Sequence, residues 1–196
     1  MKKTLVALAV LVGGLFTANQ SNAQMVPGSN LSIGVSPMLP VGDWNDNYSF
    51  GIGGDLQYGY NFDESIGLTL SAGYNNFFMK DSDAKRIAED LGVKTSIGVV
   101  PIKAGVKYGI GSFYLHPQLG VAIPTTENNV LGAKAKYDPG FLYGIGVGTN
   151  VAGFDLSLRY EASDHKFNVN NNTSNDKDNL GFVGLRVGYT LPLMGR

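Results

Sequence analysis

The chain has 196 residues, enough for one domain with short appendages, and a formal net charge of −1. Glycine is abundant at 27 residues, charge is sparse at 16% and the apolar share is an ordinary 43%, which excludes a disordered tail, a coiled coil and a strongly basic nucleic-acid binder. Cysteine is absent, so disulfide frameworks and thiolate metal sites are excluded as well.

Residues 1–23 read as an export signal. Lys2 and Lys3 form its positive region, Leu5 to Phe16 its apolar core, and Ser21-Asn22-Ala23 a small-residue cleavage site before Gln24. The apolar run is too short and too glycine-broken for a spanning helix, which needs about 20 residues. Its removal takes away two lysines and no acids, which moves the net charge from −1 to −3. Residues 24–196 then constitute the mature domain. No later segment reads as a helical span, so membrane association has to come from strands.

Apolar alternation between turn signals predicts eight strands. The first covers residues 30–39, with Leu31, Ile33 and Val35 on one face. The second, 49–62, is the clearest, with Phe50, Ile52, Leu56, Tyr58, Tyr60 and Phe62 sharing a side. The third, 66–75, aligns Ile66, Leu68, Leu70, Ala72 and Tyr74. The fourth, 97–110, sets Val100, Ile102, Ala104, Val106 and Tyr108 opposite Lys103 and Lys107. The fifth, 113–123, aligns Phe113, Leu115, Leu119 and Val121. The remaining three cover 141–149, 154–162 and 180–193. Most have roughly the 9 to 11 residues with which a tilted strand crosses a bilayer.

The links between these strands alternate in length. Asp63-Glu64-Ser65, Gly111-Ser112 and Ala152-Gly153 are tight, whereas 40–48, 76–96, 124–139 and 163–179 are long and polar. An up-and-down barrel with all its short turns on one side produces this order. A Greek-key sandwich would scatter its loop lengths.

Seven charged residues lie within the strands: Asp55, Lys103, Lys107, Asp155, Arg159, Glu161 and Arg186. All seven fall on the polar side of the alternation, which random placement would give roughly once in a hundred, since strand side chains change faces with period two. The same side is rich in glycine, including Gly51, Gly59, Gly73, Gly105, Gly144, Gly146 and Gly188. An eight-stranded barrel has room inside for little beyond its own side chains, and glycine leaves space for bulky ions. Aromatic residues on the apolar side gather near strand ends, as in interfacial girdles. A lipocalin-type barrel would invert the faces and carry many charges outside; here the polar side is too poor in charge to serve as a solvent surface.

The last third of the chain resembles a known group. Tyr143-Gly144-Ile145-Gly146, then residues 156–163 (Leu-Ser-Leu-Arg-Tyr-Glu-Ala-Ser), then Val187-Gly188-Tyr189 are similar to the closing strands of small outer-membrane barrels. They resemble above all the outer membrane protein X and attachment-invasion group of the outer-membrane β-barrel (porin-type) family. Arg186, Gly188, Leu191 and Leu193 also resemble the terminal signal read by the barrel assembly machinery, although the chain ends Leu193-Met194-Gly195-Arg196 rather than on an aromatic residue. The resemblance implies the outer membrane of a Gram-negative bacterium, contact with outer-membrane lipid and lipopolysaccharide, and insertion by that machinery.

Candidate chemistry is thin. The seven enclosed charges, three acids and four bases, suit an ion-pair plug, because charges inside a narrow barrel are tolerable only when paired. A proton or ion path would need a continuous wet lumen, which eight strands rarely leave. His165 lies near Ser163 and Asp164, yet the histidine-x-serine-asparagine motif of lipid A deacylases is missing, and Asp164, a chain neighbour, points to the opposite face. His116 reads as a hydrogen-bonded interior residue. Asp43, Asn45 and Asn47 have the first spacing of a calcium loop, but Tyr48 stands where glycine is needed and Gly54 where glutamate is needed. Asp176 and Asp178 are followed by Leu180 at the next ligand position. The glycines at 144, 146 and 148 open no helix and form no dinucleotide fingerprint. The sequons around Asn171 and Asn172 carry no meaning in a bacterial envelope. Residues 82–91 predict a short rim helix, capped by Asp81 or Ser82 and stopped by Gly92, with Ile87 and Leu91 on one stripe. The polar stretch 168–179 reads as a mobile loop.

These observations predict an all-β fold, an eight-stranded antiparallel up-and-down transmembrane barrel. The expected function is a non-enzymatic envelope role, structural, adhesive or lipopolysaccharide-contacting, with a plugged narrow lumen, no cofactor, no metal and no nucleic-acid partner. Any surface ligand would be taken by the long loops. The alternatives are a conduit or sensor for small hydrophobic compounds and, third, a lipid A-modifying enzyme.

Overall fold

The computed structural model describes residues 25–42, 44–80, 85–86, 94–130, 133–169 and 172–194. The expected export signal lies outside them, as do Asp43 and most of the expected rim helix, of which Lys85 and Arg86 are helical. Strands are β1 (Gly28–Val41), β2 (Tyr48–Asn61), β3 (Ile66–Met79), β4 (Ser96–Ile110), β5 (Phe113–Pro124), β6 (Glu127–Val130), β7 (Ala133–Tyr137), β8 (Gly140–Val151), β9 (Phe154–Val169) and β10 (Asn172–Met194). A single-turn helix, α1 (Trp44–Asn47), joins β1 to β2.

Eight of the strands pair in the antiparallel order β1-β2-β3-β4-β5-β8-β9-β10, and β10 returns to β1 through a ladder from Ser29↔Met194 to Val41↔Gly181. The barrel is therefore closed, which removes the sheet edges that an apolar solvent would leave unsatisfied. Local chemistry sets the turns. Asp63 Oδ1 accepts the backbone N–H groups of Ser65 and Ile66 at 2.7 and 2.8 Å. Gly111, Ala152 and Gly153 take φ values of 59°, 51° and 85°, and the Ala152-Gly153 pair matches a two-residue turn with positive φ at both centres.

The faces divide as the alternation requires. Ile33, Val35, Leu56, Leu70, Leu119, Phe141 and Ile145 point outward and are exposed, while Ser32, Gln57, Ser71, Lys103, His116 and Arg186 point inward and are buried. An apolar exterior around a polar interior is the arrangement that hydrocarbon selects.

Two parts differ from the sequence expectation. The linking stretch 124–139 contains the β6–β7 hairpin, and β7 pairs with the outer part of β9 through Ala135↔Val169 and Tyr137↔Phe167. The stretch 163–179 is strand on both sides of 170–171, because β9 and β10 go on pairing past the end of the apolar band. Backbone pairing there needs no alternating apolar side chains, so the periodicity gave no sign of it. The second difference lies within the bore. Toward the long-loop end the inward rows turn apolar, and Met38, Trp44, Phe77, Leu142, Leu180 and Phe182 form one buried cluster. Trp44 stacks on Tyr48 with centroids 4.4 Å apart, and Phe77 packs against Phe182 at 5.4 Å.

Prolines mark breaks in the ladder. Pro117 sits where β4–β5 pairing skips from Gly105↔Gln118 to Tyr108↔Leu115, and Pro101 where β3–β4 pairing skips from Ala72↔Ile102 to Asn75↔Val99. A residue without an N–H cannot complete a ladder on both sides.

Candidate functional site

The chemistry of this chain is concentrated inside the barrel. Gly144, Gly146 and Gly148 make the inward row of β8 a trough, into which side chains from the flanking strands lean. A Cβ on Gly144 would lie 2.9 Å from Glu161 Cγ, and one on Gly146 would lie 3.1 Å from Arg159 Cγ. Without those glycines the β9 ions would have no volume to occupy.

All seven charged residues read from the strands lie inside, and six of them are buried; the Asp55 side chain keeps slight exposure. Arg186 Nε donates to Asp55 Oδ1 and Oδ2 at 2.9 and 3.0 Å, and its Nη2 donates to Ser32 Oγ at 3.1 Å. Its Nη1 lies 3.5 Å from Asp155 Oδ1. Asp155 accepts from Lys107 Nζ at 2.5 Å and from the Tyr114 hydroxyl at 2.7 Å, and the Lys107 ammonium stands 4.3 Å from the centre of the Tyr114 ring. Charges from β2, β10, β9 and β4 thus form one chain, Asp55–Arg186–Asp155–Lys107. A second pair, Lys103–Glu161 at 2.6 Å, links β4 to β9. Arg159 stands outside these pairs and donates from Nε to Ser157 Oγ at 3.1 Å.

Buried ions are held only when Coulomb attraction and hydrogen bonds offset the loss of water. Asp155 meets that condition, with hydrogen bonds from Lys107 and Tyr114 and the Arg186 guanidinium 3.5 Å away. Other groups meet it in part: Gln57 Oε1, Gln118 Nε2, Arg159 Nη2 and Glu161 Oε2 have no hydrogen-bond partner among the described residues.

Sequence reasoning missed Tyr114, Ser32 and Ser157 as members of this network. Each shares inward parity with a named ion or histidine on its own or the adjacent strand, and that parity was the available signal. His116 is buried, with Nε2 2.8 Å from Thr69 Oγ1. His165 and Ser163 lie two apart on the inward row of β9, and Ser163 Oγ is 2.8 Å from His165 Nε2. His165 Nδ1 faces the backbone carbonyl of Asp138 at 3.0 Å, while Asp164 turns away and accepts from Asn179 Nδ2 at 2.7 Å. The hydroxyl–imidazole pair is buried beside Tyr137. Of the loop residues that loosely matched calcium spacing, Asn45 and Asn47 belong to α1. Among the described residues no cluster of three His, Asp or Glu side chains is grouped to hold a metal ion.

Residues 7–190 match the model of the outer membrane protein beta-barrel domain family. No curated protein matches the sequence. The crystal structure of Ail, the attachment invasion locus protein of Yersinia pestis, is similar with a TM-score of 0.55 at 20% identity, covering 85% of this chain and 100% of that one. The Ail backbone structure in a phospholipid bilayer nanodisc gives 0.50 at 18% identity over 83% and 99% of the two chains. Neisserial surface protein A gives 0.52 at 12% identity over 85% and 97%. At these identities the structural likeness speaks for the barrel alone. The family match and the closed eight-stranded sheet together place this chain in the outer membrane protein beta-barrel domain family, in the bacterial outer membrane.

Proposed function

We propose that this protein is a non-enzymatic component of the outer membrane whose lumen is closed and whose extracellular end makes structural, adhesive or lipopolysaccharide contacts. The observation that carries the reading is the Asp55–Arg186–Asp155–Lys107 chain, which ties four strands together across the bore. Above it the Met38, Phe77 and Phe182 cluster fills the long-loop mouth with apolar side chains. A polar solute would have to break buried ion pairs and then cross a dry layer, and each costs several kcal/mol. What remains available to partners is the lipid face and the part of the β7–β9–β10 sheet that rises past the bilayer. Export through a signal at residues 1–23 and insertion by the barrel assembly machinery complete the reading.

Planar-bilayer recording tests it. The purified barrel should give no sustained single-channel currents; stepwise currents that persist would overturn the closed lumen. A conduit for small hydrophobic compounds draws its support from a different feature. On the lipid face a groove of about 660 Å³, lined by Ala104, Pro117, Leu119 and Ile145, lies against the β4–β5 ladder break at Pro117. Uptake of a hydrophobic dye into proteoliposomes, lost when Pro117→Ala restores the ladder, would favour that reading.

A further inference from the structure

The short-turn end of the lumen is built differently from the rest. Below the ion chain lies a chamber of about 320 Å³, lined by Asn30, Gln57, Asn61, Thr69, Lys107 and Asn150 among others. That volume falls at the lower end of the roughly 300–1,000 Å³ of small-molecule sites. In outer-membrane barrels the short turns face the periplasm, so the chamber opens toward that compartment.

Three features make it a site rather than unfilled space. First, its polar groups are seated. Asn30 crosses Gly59, where a Cβ would meet its Oδ1 at 2.5 Å, and Asn61 occupies the space over Gly67. Second, Gln57 lines the chamber at 1% exposure, and its Oε1 is unpartnered among the described residues, although a buried amide oxygen normally finds a donor. Third, the mouth is partly covered. Met25 is 3% exposed, and the strap it belongs to is held by Asn61 Nδ2 donating to the Val26 carbonyl at 2.8 Å.

The lining also specifies a ligand class. Its one cation, Lys107, is already matched by Asp155 at 2.5 Å, so the chamber offers no net charge. Its polar groups are amides and hydroxyls that both donate and accept, set among the apolar Met25, Val26, Pro27 and Pro192, and such a mixed lining complements a ligand with hydroxyl groups on a carbon frame. We propose that this chamber binds a small neutral polyol of the monosaccharide class, admitted from the periplasm by displacement of the Met25 strap.

The test uses the full mature chain in lipid nanodiscs, with glucose as probe and backbone amide resonances as readout. Glucose should shift the Gly59 and Asn150 amides saturably and leave Phe182, in the apolar cluster at the opposite end, unmoved. Gln57→Met, which keeps the volume and removes the amide, should weaken binding roughly three- to tenfold. Gln118→Met, which removes the other unsatisfied amide, should leave it unchanged. Met25→Trp, a change at the mouth that spares every polar group, should abolish the shifts and covers the case in which Gln57→Met fails to close its barrel. The proposal is overturned by absence of saturable shifts with both glucose and glycerol, or by binding indifferent to both Gln57→Met and Met25→Trp. Saturation by inorganic phosphate in place of glucose would equally overturn it, by assigning the chamber to an anion at Lys107.

Discussion

Replacing Arg186 by leucine probes the centre of the interior. The guanidinium has no solvent exposure, and it supplies both the Asp55 contacts at 2.8–3.0 Å and the Ser32 bond at 3.1 Å. Arg186→Leu strands Asp55, for which Arg186 is the partner among the described ion pairs, whereas Asp155 keeps Lys107 and Tyr114. Removing one member of a buried pair costs about 3–5 kcal/mol, which lowers the folding equilibrium constant more than a hundredfold. The loss belongs to the abandoned carboxylate, so Arg186→Leu with Asp55→Leu should recover most of it, and Arg186→Leu with Asp155→Leu should not. Urea unfolding in lipid vesicles measures this directly, with the single tryptophan, Trp44, as fluorescent reporter at the long-loop rim. A single variant that loses under about 1 kcal/mol, or a double variant with Asp55→Leu no better than the single, would refute the assignment of a paired charge to this position.

Neighbouring glycines on opposite faces should separate cleanly. Gly34→Ala places a Cβ 2.6 Å from Arg186 Cζ, where the guanidinium is pinned by its partners, and should cost about 1–3 kcal/mol by the same unfolding assay. Gly54→Ala, whose Cβ would meet only the Gly34 carbonyl oxygen at 3.6 Å, should stay within about 0.5 kcal/mol. On the lipid side, Leu70 is 58% exposed, so Leu70→Arg puts a charge into hydrocarbon and should cost about 2–4 kcal/mol; unchanged folding in lipid would reverse the face assignment. Expression of the protein should leave the lipid A mass spectrum unchanged. New acylation or deacylation products that vanish with Ser163→Ala or His165→Ala would make the buried hydroxyl–imidazole pair catalytic.

Most of the barrel was legible because one physical rule governs it: strand side chains alternate, and hydrocarbon accepts only one of the two sets. The predicted second strand, 49–62, differs from Tyr48–Asn61 by one residue at each end, and the charged set lies on the side the alternation assigned. The rule has limits where its cause ends. Phe77, Leu142 and Phe182 are as greasy as Leu70 and Phe141 yet point inward, because past the ion layer the bore needs filling. Hydropathy alone could not assign those rows; continuing the parity of Arg186, Gly184 and Phe182 could have. Which ion pairs with which was beyond reading. Partnership depends on register between strands as distant as β2 and β10, whose Asp55 and Arg186 stand 131 residues apart.

The outer part of β10 has its own consequence. Among the described residues its pairing with β1 ends at Val41↔Gly181, so from Asn172 to Leu180 the strand has a strand partner on the β9 side alone. Such a border is a template on which a foreign strand can lengthen the sheet, and natural sequences discourage this with ionic residues and a lack of grease. Asn172-Thr173-Ser174-Asn175-Asp176-Lys177-Asp178-Asn179 follows that prescription, with three ionisable positions and no aliphatic or aromatic one before Leu180. The longest strand of the molecule is thus written to resist fibre-like self-association.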